Sequence, residues 1–172
     1  VNTSESTEHL IKMSKQVDKL DFLLQNMIKI SRLETGTIKI QKSKQFIAET
    51  LALAIGAGVP KADKKNIQIH VTYDETLQLE HGYNIYNRPV DQWTAEAIFN
   101  ILDNAVKYTS VNGSINIVVN KETIFTKISI TDTGKGIPLE RQGMIFNRFY
   151  REPDVHNTEG VGIGLYLSRE II

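Results

Sequence analysis

Residues Phe99–Thr109, FNILDNAVKYT, combine a helical pattern with an unusual polar side. Ile98, Ile101, Leu102 and Ala105 stand at i, i+3, i+4 and i+7, one apolar stripe of a helix that faces a core. Glu96, Asn100, Asp103 and Lys107 gather on the other side, with Asn104 and Tyr108 towards its edge. Asparagine is a mediocre helix former, because its amide competes for backbone hydrogen bonds. Two of them four residues apart, with a cation one turn on, ask for a task that packing does not provide. Asp91 is the natural N-cap, and the helix is expected to run to about Lys107.

Downstream, Asn112-Gly113 is a strong turn signal. The patterns SINIVVN (114–120) and IFTKISITD (124–132) read as strands, with Lys121–Thr123 as a hairpin loop. The second strand runs into DTGKGIP (132–138). A long polar stretch follows, interrupted by IFNRFYR (145–151) and closed by EGVGIGL (159–165) before a last helix, YLSREII. Loops of that length in compact domains are commonly functional lids or disordered segments.

Upstream, a helix starts at one of Asn2, Ser4 or Ser6. Leu10, Met13, Val17, Leu20, Leu24 and Met27 alternate spacings of three and four, and Ile30 and Leu33 extend the stripe to a stop at Gly36. Such a helix needs a partner for its stripe, and a bundle with a helix of the same or a second chain fits it better than its own domain does. Ile38 and Ile40 alternate with lysines as in a short strand, and residues 44–56 read as a helix that Gly56, Gly58 and Pro60 break. Ile67, Ile69 and Val71 form an alternating strand, while Tyr83, Ile85 and Pro89 suggest another that ends before the Asp91 helix.

The 172 residues make one or two domains with a real core. Lys+Arg and Asp+Glu number 20 each, so no bulk basic field draws nucleic acid. The absence of cysteine excludes disulfides and thiolate metal sites. No apolar run reaches the roughly 18 residues of a membrane span, and no signal-peptide pattern opens the chain. The sequence reads as soluble, or as the cytosolic piece of a longer protein.

The polar constellations have chemical readings of their own. Asn104 offers a hard carbonyl oxygen suited to Mg²⁺, Lys107 an ammonium for phosphate, and Tyr108 a flat face for a base or sugar. Asp132, at the end of a strand, can accept a hydrogen bond from an adenine amino group, and Gly134 and Gly136 let backbone approach a ring closely. A plain turn uses the same residues. Gly160, Gly162 and Gly164 precede a helix and can present backbone N–H groups to phosphate, although neither the dinucleotide nor the Walker spacing is present. Phe146 and Phe149 can pin the loop to the core, while Arg148 and Arg151 can reach phosphate. His9, His70, His81 and His156 have no metal-site spacing.

Taken in this order, the segments resemble the ATP-binding catalytic domain of bacterial sensor histidine kinases, in the gyrase, chaperone, histidine-kinase and mismatch-repair ATPase superfamily. FNILDNAVKYT matches that family's N box, DTGKGI its first glycine box, IFNRFYR its F box and GVGIGL its second glycine box. SRLETG (31–36) resembles the end of the second helix of the dimerisation and phosphotransfer hairpin. The resemblance implies an α+β fold, an α/β sandwich in which helices cover a mixed sheet beside a nucleotide lid, preceded by one long amphipathic helix. Residues 1–36 would be that hairpin helix and 37–172 the catalytic domain, truncated at its C-terminus.

By the same resemblance, Asn104 ligates Mg²⁺, Asn100 supports it through water or phosphate, and Lys107 touches phosphate, the three forming the catalytic set. Tyr108 lies against the nucleotide. Asp132, Gly134, Gly136 and Ile137 hold the adenine, and Gly160, Gly162, Gly164 and Leu165 the phosphates, with Arg148 and Arg151 as further phosphate contacts. ATP and Mg²⁺ are the implied ligands. The implied partners are a response regulator and a second copy of the chain, with membrane attachment only through segments outside this sequence. No phosphoacceptor histidine is found: His9 is followed by LIKM, with neither the acid nor the proline of the family's box. The expected function is transfer of the γ-phosphoryl of ATP to a hairpin histidine on another segment, within the cytoplasmic portion of a membrane sensor. Two rivals remain. An ATP-hydrolysing relative would carry a glutamate base where Asn100 stands, and a non-catalytic dimerisation or nucleotide-sensing module would use the 10–33 stripe and keep only a relic nucleotide site.

Overall fold

A computed structural model describes residues 3–37, 41–84, 92–152 and 160–172, and the chain divides into two units, Val1–Ile38 and Lys39–Ile172. The expectations placed on Ile38, Ile40, Ile85, Pro89, Asp91 and His156 fall outside the described residues.

The first unit is a single helix, α1 (Thr3–Glu34). Leu10, Met13, Val17, Leu20, Leu24 and Met27, six residues of the predicted stripe, are all at least half exposed, whereas Ile30 of the same stripe is buried. The helix stops where Gly36 takes φ +62°, a conformation that costs glycine little, and the Thr35 hydroxyl donates back to the Ser31 carbonyl at 2.8 Å.

The second unit begins with β1 (Gln41–Phe46) and α2 (Ile47–Asp63), followed by β2 (Gln68–Thr72) and β3 (Gln78–Asn84). Then come α3 (Gln92–Tyr108), the hairpin β4 (Ser114–Lys121) and β5 (Thr126–Asp132), the short α4 (Leu139–Gln142), and α5 (Gly164–Ile171). β2, β4 and β5 form a mixed sheet in that order, β2 parallel and β5 antiparallel to β4. β1 and β3 pair antiparallel as a separate ribbon. Period-two alternation on β4 sends Ile115, Ile117 and Val119 into one core with Ile47, Leu51 and Ala54 of α2 and Ile98, Leu102 and Ala105 of α3. Leu102 is fully buried, which contributes about 1.5–3 kcal/mol. The result is the expected α+β arrangement of helices over a mixed sheet.

Three local expectations are corrected. Residues 44–46 belong to β1, not to the following helix, because Gln45 and Phe46 pair with Leu79 and Gln78. Gly56, Gly58 and Pro60 do not break α2, which continues to Asp63. An interior proline costs about 3 kcal/mol. Packing offsets it: Ala54, Gly58 and Ala62 are buried, and a Cβ at Gly58 would meet Leu102 Cδ2 at 3.1 Å. After Asp63 the chain leaves the helix through a turn at 64–66, where Asn66 at φ +50° lets the Ile67 N–H return to the Ala62 carbonyl at 3.0 Å. Finally, Ile101 is 38% exposed rather than a core residue. The core stripe of α3 runs through Ala95, Ile98, Leu102, Ala105 and Val106, while Trp93, Thr94 and Ala97 are also buried. α5 is tied to this helix by Ser168, whose hydroxyl is 3.1 Å from the Ala97 carbonyl.

Candidate functional site

The polar side of α3 faces the glycine-rich segment that opens α5. Asn100 lies against Gly164, where a Cβ would come 3.4 Å from the amide oxygen. The Asn100 Nδ2 is buried and has no hydrogen-bond partner among the described residues. A buried amide donor left unpaired costs about 1–3 kcal/mol, so its retention points to a ligand that completes it. Asn104 follows one turn on, half-buried.

Lys107 ends this face. Its ammonium is 2.5 Å from Asp103 Oδ2 and 3.7 Å from the Cβ position of Gly160, so it stands between a carboxylate and the glycine segment. The other Asp103 oxygen takes Lys61 of α2 at 2.6 Å. Burial pushes the Asp103 carboxyl up, but hydrogen bonds and charge from Lys107 and Lys61 outweigh it and leave the group below the usual carboxylate range. Tyr108, half-buried, has its phenol pushed up by burial, opposed by the Arg151 charge and reinforced by Asp103 and Glu152.

The strand end is built to hold backbone close. Asp132 is exposed, and its Oδ1 accepts the Gly134 N–H at 2.8 Å. A Cβ at Gly134 would fall 2.6 Å from that oxygen and 2.8 Å from the Tyr108 carbonyl, so the end of α3 and the loop after β5 touch only because this residue is glycine. Gly136 takes φ +71° with open space around it, and Ile137 is 40% exposed.

The two halves of the lid are joined through backbone. The Phe149 N–H donates to the Gly162 carbonyl at 2.8 Å, with Phe149 at φ +62°, a strained state for a bulky residue. Gly162, at φ +79°, packs on the Tyr150 carbonyl with no room for a side chain. Gly160, at φ +148°, opens the described part of this segment, and Leu165 lies half-buried in the first turn of α5. Arg148 points to α5: its guanidinium donates to the Tyr166 hydroxyl at 2.8 Å and lies 4.6 Å from the ring centroid. Arg141 of α4 binds Glu152 at 2.5 Å, which holds that carboxyl below its ordinary range, and the Tyr150 hydroxyl donates to the same group at 2.9 Å.

Sequence reasoning missed two residues behind the site. Lys61 shares Asp103, as above. Lys65 donates to the carbonyls of Val106, Lys107 and Thr109 at 2.8, 2.8 and 3.0 Å, closing the C-terminus of α3. Nothing in the local pattern marks either lysine, since their partners lie more than 40 residues away in sequence.

The donor set fits a magnesium nucleotide. Among the described residues no cluster of three or more His, Cys, Asp or Glu could hold a metal alone. A cation here would take an amide oxygen such as that of Asn104, with water and phosphate oxygens completing its shell.

Residues 90–172 match the family described as histidine kinase-, DNA gyrase B-, and HSP90-like ATPase. The chain is 32% identical to the adaptive-response sensory kinase SasA of Synechocystis sp., over 95% of this chain and 41% of that protein. It is 26% identical to the sensor protein kinase PmrB of Pseudomonas aeruginosa, over 95% of this chain and 32% of that protein. The chain thus spans about a third to two-fifths of the length of these relatives. Among solved structures, histidine kinase ThkA in complex with response regulator protein TrrA superposes with a TM-score of 0.66 at 20% identity, over 92% of this chain and 41% of that one, a likeness of fold.

Proposed function

We propose, from the match of residues 90–172 to the histidine kinase-, DNA gyrase B-, and HSP90-like ATPase family, that the chain is the kinase portion of a two-component sensor. It binds Mg·ATP between α3 and the glycine segment and transfers the γ-phosphoryl to a histidine on a helical hairpin. From there the phosphoryl passes to an aspartate of a response regulator. Asn104 holds the magnesium, which supplies charge neutralisation at the phosphates when bound. Lys107, Gly160, Gly162, Gly164 and Leu165 take the phosphates, with Arg148 and Arg151 beside them. Tyr108 covers the nucleotide, and Asp132, Gly134, Gly136 and Ile137 receive the adenine.

The observation that carries the reading is Asn100. Its buried, unpartnered amide stands where hydrolysing relatives need a carboxylate, and an amide cannot take a proton from water near neutral pH. Phosphoryl transfer to an imidazole needs positioning and charge neutralisation rather than a strong base. The exposed apolar stripe of α1 supports residues 1–36 as the second hairpin helix, through which two copies pair. The relatives' names as sensor kinases support the sensor reading, and a place in the cytoplasmic portion of a membrane sensor follows from the family resemblance.

A mixing assay tests this reading. The chain, Mg²⁺, γ-labelled ATP and a separate hairpin bearing the acceptor histidine should yield labelled phosphohistidine, lost with Asn104→Ala. Steady release of inorganic phosphate with no label on the hairpin would assign the chain to the hydrolysing relatives instead.

A further inference from the structure

We propose that Lys61 is a positioning residue for phosphate binding, holding the Asp103 carboxylate so that Lys107 can leave it for a nucleotide phosphate. The proposal rests on the nucleotide-binding reading above. Asp103 is 13% exposed in its side chain and divides its two oxygens, Oδ2 to Lys107 at 2.5 Å and Oδ1 to Lys61 at 2.6 Å. The Asp103–Lys107 pair is local, an i,i+4 couple on one helix with the acid on the N-terminal side, the favourable order. With that pair alone, an ammonium drawn to phosphate would abandon a largely buried carboxylate, and the uncompensated charge would oppose the move.

Lys61 removes this difficulty. It reaches Asp103 from α2, 42 residues away in sequence, with its own side chain 53% exposed, and so pairs with the carboxylate independently of α3's own Lys107. Lys107 has only a short distance to travel, because its ammonium already lies 3.7 Å from the Cβ position of Gly160. The carboxylate therefore acts as a shared holder. Lys107 occupies it in the absence of nucleotide, and Lys61 keeps it neutralised afterwards.

The test is a double-mutant cycle on the chain as it stands, with AMPPNP and Mg²⁺ as the probe in titration calorimetry and adenosine as a ligand without phosphate. Lys61→Met is expected to weaken AMPPNP about three- to fivefold, the scale of a half-exposed ion pair. Adenosine binding should be unchanged, and in an Asp103→Asn background Lys61→Met should have no further effect. A parent chain that binds with an indifferent Lys61→Met variant overturns the proposal alone. Equal loss in the Asp103→Asn background would make Lys61 a long-range attraction only, and equal weakening of adenosine would make it a packing residue; either result overturns the proposal. A parent chain that does not bind AMPPNP overturns the nucleotide reading and this inference with it.

Discussion

Asn100 packs its amide against Gly164, the first residue of α5, with the amide oxygen 3.4 Å from the Cβ position and the nitrogen buried without a partner among the described residues. Helix and glycine segment thus meet at a point of unsatisfied polarity. Asn100→Ala removes the unpaired donor, which costs about 1–3 kcal/mol, and installs a better helix former. We expect urea unfolding to show unchanged or increased stability, while affinity for a magnesium–nucleotide analogue falls tenfold or more. A large loss of stability would show that Asn100 serves packing instead.

Lys65 should matter far more to stability than its surface position in the sequence implies. Lys65→Met withdraws one charged donor from three carbonyls at the end of α3. The expected cost is about 2–3 kcal/mol, read from the urea midpoint. Because two of those carbonyls belong to Lys107 and Thr109, flanking Tyr108, nucleotide affinity should fall as well.

Three glycines give a graded series. Gly162→Ala combines φ +79° with a collision against the Tyr150 carbonyl and should cost about 1–3 kcal/mol and loosen the lid. Gly136→Ala has open space but φ +71°, and about 1 kcal/mol is expected. Gly143→Ala has neither constraint and should lie within about 0.5 kcal/mol of the parent. Thermal or urea unfolding orders the three.

Acid stability should report Asp103. Its folded pKa lies below the ordinary value of 3.8, since the two lysines outweigh burial. A depressed carboxylate contributes stability that is fully present above the unfolded pKa and is lost as pH falls through the folded value. Stability should therefore be level near neutrality and decline below about pH 4. Asp103→Asn should flatten part of that decline, measured as urea midpoints across the acid range.

Much of the molecule could be read from short-range pattern. The spacing of Ile98, Leu102 and Ala105 specified a helix with one face in a core, and alternation in 114–120 and 124–132 specified a hairpin, which the structure forms as β4 and β5. The candidate residues Asn100, Asn104, Lys107 and Tyr108 were visible because one helix carries all four within nine residues. Gly58 and Pro60 misled, because a local breaker rule cannot register that the absent Cβ of Gly58 lets α2 close on Leu102. Ile101 misled for a related reason: α3 is covered from more than one side, and hydrophobic spacing fixes a stripe without saying where neighbouring helices end.

By itself, then, the sequence determined the class of α3, β4, β5 and α5, though not the bounds of β1 and α2, and which side chains could serve a nucleotide, since those follow from periodicity, turn chemistry and functional groups along one chain. Tertiary structure alone decided what stands behind those side chains. Lys61 and Lys65 reach α3 only because α2 packs beside it, and Arg148 meets Tyr166 only because α5 returns past the loop. Charges so far apart in sequence have no periodicity to reveal them, and their pairing exists only once the core has brought the helices together.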